Sequence, residues 1–122
     1  MPSLSAGSNT HETSVWRWML ADAAAKIPAG ARIPYATIFR HGSLSLEIYA
    51  PRERDEQLPH DQDELYMVMQ GAGHFLYAGQ AKQFGPGDVL FVPAGAEHRF
   101  VDFTDDLLTW VVFYGPKSGE RR

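Results

Sequence analysis

One stretch of the chain decides its predicted fold: Gly87-Asp-Val-Leu-Phe-Val-Pro93-Ala-Gly95-Ala-Glu-His98-Arg-Phe-Val-Asp102. The apolar run Val89 to Val92 has the length of one buried strand, and glycine and proline residues bound it on both sides. Pro93 fixes its own φ and Gly95 permits a positive φ, so we expect a rigid corner after this strand. His98 follows the corner, and histidine is the side chain that binds metals or transfers protons near neutral pH. The pattern therefore predicts a histidine held at a fixed position.

The bulk composition limits the classes of protein to which the 122 residues can belong. This length suits one domain with a core of its own. The chain has no cysteine, which excludes a thiol nucleophile, thiolate zinc sites and disulfides and is compatible with a reducing cytoplasm. A net charge of −4 favours neither nucleic acid nor an anionic membrane as a partner. No apolar run approaches the roughly 20 residues of a membrane span, and no signal-peptide pattern is found at the N-terminus. We therefore expect a cytoplasmic protein that binds neither nucleic acid nor a membrane.

The apolar periodicity predicts one helix followed by strands. Apolar residues at helical spacing predict a helix over Thr13 to Lys26. From Ile33 onward the period changes to two, which predicts seven or eight short strands and an all-β sandwich or small barrel. We therefore assign residues 1–30 to an N-terminal tail and helix packed on the barrel, residues 31–116 to the barrel and residues 117–122 to a polar C-terminal tail.

Three side chains at predicted strand ends form a candidate metal site. His60 and Glu64 lie where one strand begins, and His98 lies beyond the end of another. Two imidazoles and one carboxylate are the ligand set of a non-haem Fe(II) site, and they also bind zinc or manganese. On spacing alone, the alternative is that Glu64 is a solvated strand-end acid and His60 a loop residue. The acidic window from Asp55 to Glu64 is interpreted as a solvated loop rather than a second cation site.

The opening stretch resembles the second sequence motif of the cupin superfamily. Gly87, Pro93, Gly95 and His98 stand at the spacing of that motif. Asp102 occupies the place where the family usually has asparagine.

A second, upstream segment resembles the end of the first cupin motif. His60, Glu64 and Gly71 have its spacing, and the gap to the second motif is the short one of small microbial cupins. The whole chain looks like a small single-domain cupin of the cupin_2 type. That resemblance implies a jelly-roll β-barrel with a short N-terminal α-helix and a divalent metal ion inside. It also implies that His60, Glu64 and His98 are the metal ligands and that the protein is a homodimer.

One departure from the family pattern bears on the metal site. The family's first motif begins with a further histidine, and Leu58 stands in its place in this chain. The missing ligand leaves either an open position for water or substrate, as a catalytic site needs, or a lapsed site that binds metal weakly or not at all. Gln62 could supply an amide oxygen as a replacement only if its loop departs from the expected register.

The sequence leaves the type of function open among three classes. The first is a metal-dependent enzyme, most concretely a mononuclear oxygenase with Fe2+ as the first choice of metal and Mn2+, Zn2+ or Ni2+ as alternatives. Tyr66 shares the face of Glu64 under strand alternation and is the candidate catalytic residue, as a hydrogen-bond donor to substrate, although its hydroxyl could equally satisfy a local partner. The second class is a non-catalytic binding or sensing module with weak metal binding or none. The third is a structural domain without metal.

Overall fold

The computed structural model describes residues 15–121, which form two antiparallel β-sheets preceded by a short helix. The helix is α1 (Leu20–Ala24), and the strands are β1 (Tyr35–His41), β2 (Leu44–Tyr49), β3 (Asp63–Gln70), β4 (Gly73–Tyr77), β5 (Gln80–Phe84), β6 (Val89–Val92), β7 (His98–Val101) and β8 (Leu108–Tyr114). The predicted all-β barrel with a short N-terminal helix is confirmed, and its eight strands agree with the seven or eight that the sequence predicts.

The two sheets face each other and enclose the core. One sheet has five strands in the order β1-β2-β8-β3-β6, and the other has three in the order β5-β4-β7. Strand β3 therefore lies inside the larger sheet, where Glu64 pairs with Phe113 on one side and with Val92 on the other. His98 comes from β7, at the edge of the smaller sheet. The fold thus brings the two halves of the candidate site from opposite sheets.

Strand alternation assigns the inward-facing side chains as the sequence predicted. Glu64, Tyr66 and Val68 are all buried on β3, with at most 1% of their surface exposed. His98 and Phe100 are likewise both buried on β7. The rings of Tyr66 and Phe100 meet edge to face with centroids 5.0 Å apart, which is a favourable geometry for aromatic pairs. The interior next to Glu64 is therefore an aromatic core.

The helix is shorter than predicted. It spans five residues, Leu20–Ala24, and residues 15–19 are not helical; Thr13 and Ser14 lie outside the described part of the chain. Met19 precedes the helix with extended dihedral angles and without a capping side-chain hydrogen bond. The ring of Trp18 packs on Phe39 of β1 at 4.7 Å, so contact with the sheet replaces a further helical turn. Within residues 15–121, no helix has the length and apolarity that crossing a membrane requires.

Candidate metal centre

The rigid corner that follows β6 is hydrogen-bonded directly to the segment that carries His60. Gly95 adopts a φ of +80°, the left-handed conformation expected for it. Its N–H donates to the carbonyl oxygen of His60 at 2.7 Å. The neighbouring N–H of Ala94 donates to Asp63 Oδ1 at 2.9 Å. These bonds fix the second motif against the first, so the position of His98 relative to His60 and Glu64 is set by the backbone.

His60, Glu64 and His98 converge inside the barrel. One ligand atom from each of the three lies within 4.8 Å of the other two. His98 Nε2 and Glu64 Oε1 are 3.5 Å apart, and both side chains are 1% exposed. The half-buried ring of His60 packs on Phe113 at a centroid distance of 4.6 Å. The solvated-acid interpretation of Glu64 is therefore wrong, because this carboxyl group is buried between two histidines.

The hydrogen bonds of His98 fix its tautomer. Its Nδ1 lies 2.9 Å from the carbonyl oxygen of Ala96, which can only accept, so Nδ1 carries the proton. The lone pair of Nε2 then points into the site, where it lies 3.0 Å from the Tyr66 hydroxyl. A backbone carbonyl on the far nitrogen is the usual device that orients a metal-binding histidine. His98 is therefore arranged to offer Nε2 to an ion.

The electrostatic environment of the site reflects its burial. Burial, aided by the charges of Glu47 and Asp55, raises the pKa of Glu64 from 4.5 to about 7, although its hydrogen bond with Tyr66 acts in the opposite direction. Burial and the neighbouring His98 lower the pKa of His60. Burial and the charge of Glu64 raise the pKa of Tyr66 well above its ordinary value, so this hydroxyl keeps its proton at neutral pH. Near neutral pH the site therefore holds a carboxyl group close to ionisation beside a His60 imidazole whose lowered pKa favours its neutral form.

The donor set and one orphaned atom fit a divalent cation. Glu64 Oε2 is buried and has no hydrogen-bond partner. A buried carboxylate oxygen without a partner is costly, and an ion bound between the carboxylate and two imidazole nitrogens would remove that cost. Two ligands on tetrahedral zinc stand roughly 3.4 Å apart, which is close to the observed 3.5 Å separation of His98 Nε2 from Glu64 Oε1.

Asp55 supports the site in a way that the sequence did not reveal. Its carboxylate is buried and accepts hydrogen bonds from the Tyr49 hydroxyl at 2.5 Å and from the Phe100 N–H at 2.9 Å. It also accepts the backbone and side-chain N–H groups of Gln57, at 3.2 and 3.0 Å, and Gln57 Oε1 lies 3.4 Å from His60 Nε2. The interpretation of the acidic window as a solvated loop is wrong at this residue. No periodicity marks an irregular loop, so no sequence signal would have identified Asp55.

The structure also decides where Leu58 and Gln62 lie. Leu58, which stands in the place of the missing histidine, is 74% exposed. Its side chain therefore does not occupy the candidate metal centre. The amide nitrogen of Gln62 donates to the carbonyl oxygens of Ser43 and Gly115, at 2.9 and 2.8 Å. Gln62 is therefore a bridge between loops, and it is not one of the three side chains that converge.

Two cavities reach two of the three residues, His98 and His60. One of about 590 Å³ is lined by His98, and another of about 410 Å³ is lined by His60. The segment from Gln57 to Pro59 forms part of the wall of both. Both volumes fall within the ordinary range for small-molecule sites. The larger sheet also contributes Glu47 to the second cavity. Strand alternation alone would not have identified it, because its apolar neighbours Leu46 and Ile48 predict that the core lies on the other face of β2.

Comparisons with known proteins agree with this architecture. A relative from Streptomyces coelicolor, described as an uncharacterized protein, is 36% identical over 86 residues, which cover 69% of this chain and 82% of the relative. The HTH-type transcriptional activator RhaS of Mannheimia succiniciproducens is 35% identical over 66 residues, 54% of this chain but only 25% of the activator. A Cupin 2 conserved barrel domain protein from Salinispora arenicola shares the fold, with a TM-score of 0.57, 20% identity and coverage of 75% of this chain and 82% of that structure. The Cupin_2 family model, described as a cupin domain, matches residues 45–114. The chain therefore belongs to the Cupin_2 family of cupin domains.

Proposed function

We propose that this cupin binds one divalent metal ion through His60, Glu64 and His98 and acts as a mononuclear metal-dependent oxygenase on a small molecule. The observation that carries the proposal is the buried, partnerless Glu64 Oε2 beside two imidazoles whose ligand atoms lie within 4.8 Å. Fe2+ is the first choice, because two histidines and one carboxylate leave open positions for substrate and O₂. Mn2+, Zn2+ and Ni2+ remain alternatives.

Each side chain has a separate task in this proposal. The ion, when bound, would supply Lewis acidity and, as iron, redox chemistry. His60, Glu64 and His98 hold it, and the hydrogen bond from His98 Nδ1–H to the Ala96 carbonyl keeps one imidazole in the ligating tautomer. Tyr66 keeps its proton, so its hydroxyl acts as a hydrogen-bond donor rather than as a base or a phenolate ligand. With His98 Nε2 serving as a ligand, this hydroxyl would be available to donate to a substrate.

Metal analysis tests the binding half of the proposal. Anaerobically purified protein, reconstituted with Fe2+ and desalted, should retain one equivalent of iron. His98→Ala and Glu64→Gln should each lose it, whereas His41→Ala should not, because His41 is an exposed residue at the end of β1. Retention of well under one equivalent by the wild-type chain, or equal retention by His98→Ala, would contradict the assigned ligands.

Oxygen consumption tests the catalytic half. Iron-loaded protein is mixed with a panel of small aromatic and carbonyl compounds, and O₂ uptake is recorded with an electrode. Turnover should require His98 and fall at least about tenfold in Tyr66→Phe if the hydroxyl donates a hydrogen bond in the transition state. Unchanged turnover in Tyr66→Phe would assign Tyr66 to core packing alone.

A non-catalytic sensing role is the second candidate. It is favoured by the match to a transcriptional activator, although the chain spans only a quarter of that relative's length. A sensing domain would bind its ligand without turnover, and the bound state alone would be the output. A ligand that raises the melting temperature equally in the wild type and in His98→Ala, with no O₂ uptake, would select this candidate over the oxygenase.

A further inference from the structure

We propose that Glu47 is the recognition residue of the cavity beside His60 and that it selects small molecules carrying a protonated amine over anionic ones. This inference rests on the proposed function, because it concerns the ligand of the same centre. Strand register brings Glu47 inward. It pairs with Thr37 on β1 and with Val111 on β8, and Val111 is buried and lines the same cavity. The carboxyl group of Glu47 therefore faces the interior next to the candidate metal centre.

The hydrogen bonds of Glu47 leave its carboxylate under-satisfied. Oε2 accepts from the hydroxyls of Thr37 and Ser45 at 3.3 and 3.4 Å, both longer than a typical hydroxyl–oxygen hydrogen bond of about 2.8 Å. Burial is the main reason that the pKa of Glu47 is raised, and these weak bonds offset it only in part. A cation in the cavity would add the charge-assisted hydrogen bond that the protein itself does not provide.

The basic residue whose charge acts on Glu47 does not neutralise this carboxylate by contact. A bulge between Thr37 and Phe39 places Arg40 opposite Ser45, on the same face of the hairpin as Glu47. Arg40 acts on Glu47 through its field, yet within residues 15–121 the two form no ion pair, and Arg40 does not line the cavity. The negative charge of Glu47 is thus available to a ligand.

The lining of the cavity favours a cationic ligand with an apolar or aromatic body. Its described lining residues include the carboxyl groups of Glu47 and Asp61 but neither lysine nor arginine. Tyr35, Tyr49 and Phe113 supply aromatic surface, which attracts cations as well as apolar groups. At the Glu47 end of the cavity an anion would meet a carboxylate and neither lysine nor arginine, so its desolvation would not be repaid there. The volume of about 410 Å³ accommodates a compound with one ring.

The position of Glu47 links recognition to the candidate metal centre. His60 lines the same cavity, and the charge of Glu47 is close enough to Glu64 to raise the pKa of that carboxyl group. A ligand whose ammonium group binds Glu47 would extend its other end toward His60. Glu47 would then orient the substrate without holding the ion, and changing it should leave metal binding intact.

The test uses three phenols that differ in one substituent: tyramine (cationic), 4-ethylphenol (neutral) and 3-(4-hydroxyphenyl)propionate (anionic). Each is titrated calorimetrically into zinc-loaded and into metal-free protein. Tyramine should bind at least about tenfold more tightly than the propionate. Glu47→Gln should weaken tyramine at least about tenfold and leave 4-ethylphenol within about twofold. Asp61→Asn is the matched control. It removes the same charge from the same lining at a residue whose side chain is 66% exposed, and it should preserve the preference.

The outcomes separate this inference from the proposed function. Equal binding of tyramine and the propionate by the wild type, or no measurable binding of any of the three at millimolar concentration, overturns the inference without relying on a variant. An undiminished preference in Glu47→Gln, or its equal loss in Asp61→Asn, also overturns it. The zinc content of Glu47→Gln should equal that of the wild type. A wild type that binds no metal would refute the proposed function, while the charge preference would still be measured in the metal-free protein.

Discussion

Replacing Glu64 by glutamine should make the metal-free protein more stable at neutral and alkaline pH. The pKa of Glu64 lies at about 7 in the folded protein, against 4.5 when the group is free in water. Because each tenfold change in proton affinity corresponds to about 1.4 kcal/mol, the buried carboxylate costs about 3 kcal/mol of folding stability once it is ionised. Glutamine has nearly the same shape and no charge, so Glu64→Gln removes this cost.

The sign and the pH window follow from the direction of the pKa change. Below pH 4.5 a carboxyl group with a raised pKa is protonated in both the folded and the unfolded chain, so it does not lower the free energy of unfolding there. That free energy falls as the pH rises through about 7, because the unfolded chain releases its proton first. Metal-free Glu64→Gln should therefore match the wild type near pH 4.5. Above pH 7 it should exceed the wild type by about 3 kcal/mol, which corresponds to roughly 10 °C in melting temperature.

Urea unfolding of the metal-free proteins at several pH values between 4.5 and 8 measures this difference. Glu97→Gln is the control, because Glu97 is exposed and its replacement should change stability little at any pH. With saturating zinc the order should reverse, since only the wild type gains stability from the ion. Two results would refute the claim that Glu64 is held ionised at a cost in the metal-free site. One is equal stability of Glu64→Gln and the wild type at pH 8, and the other is a stability difference between them that does not vary with pH.

Three further predictions follow from the same contacts. Metal affinity should fall about tenfold for each pH unit below 7, because the ion must displace one proton from Glu64; zinc competition titrations between pH 6 and 8 measure this slope. Gly71→Ala should destabilise the fold by about 3 kcal/mol in urea unfolding, because Gly71 has a φ of +90° and an added Cβ would lie 2.6 Å from Leu107 Cα. The control Gly79→Ala should cost only about 1 kcal/mol, because Gly79 has a positive φ but open space around it. Asp55→Asn should also lower stability, by about 3 kcal/mol, because an amide cannot accept all the donors that now converge on this carboxylate; thermal unfolding of the metal-free protein checks it.

Much of the fold could be predicted because its signals are local. Alternation with period two placed Glu64 and Tyr66 on one face, and both are buried there. Proline and glycine marked the corner before His98 through their own backbone preferences. Asp102, at the family's asparagine position, has a φ of +51°, a conformation that aspartate and asparagine both tolerate better than other side chains. That departure from the family motif is therefore conservative in backbone terms.

The predictions that failed depended on contacts between distant residues. The apolar stripe that predicted a helix from Thr13 gave no sign that Trp18 would pack on Phe39, which keeps the described residues before Leu20 out of the helix. The charges around Asp55 favoured a solvated loop, because acids in loops usually face water. Its burial becomes favourable only where separate segments supply enough donors to one carboxylate, and no single segment reveals that.

The sequence by itself determined the family, the order of the strands along the chain and the identity of the three candidate ligands. These follow from residue type and spacing, which are properties of the chain itself. Only the tertiary structure decided the distances among His60, Glu64 and His98, the tautomer of His98 and the exposure of Leu58. It also decided, through the bulge in β1, that Arg40 shares a face with Ser45 and Glu47. The physical reason is that pairing register, burial and pKa depend on what a second strand brings alongside, and a one-residue shift in register reverses every side chain.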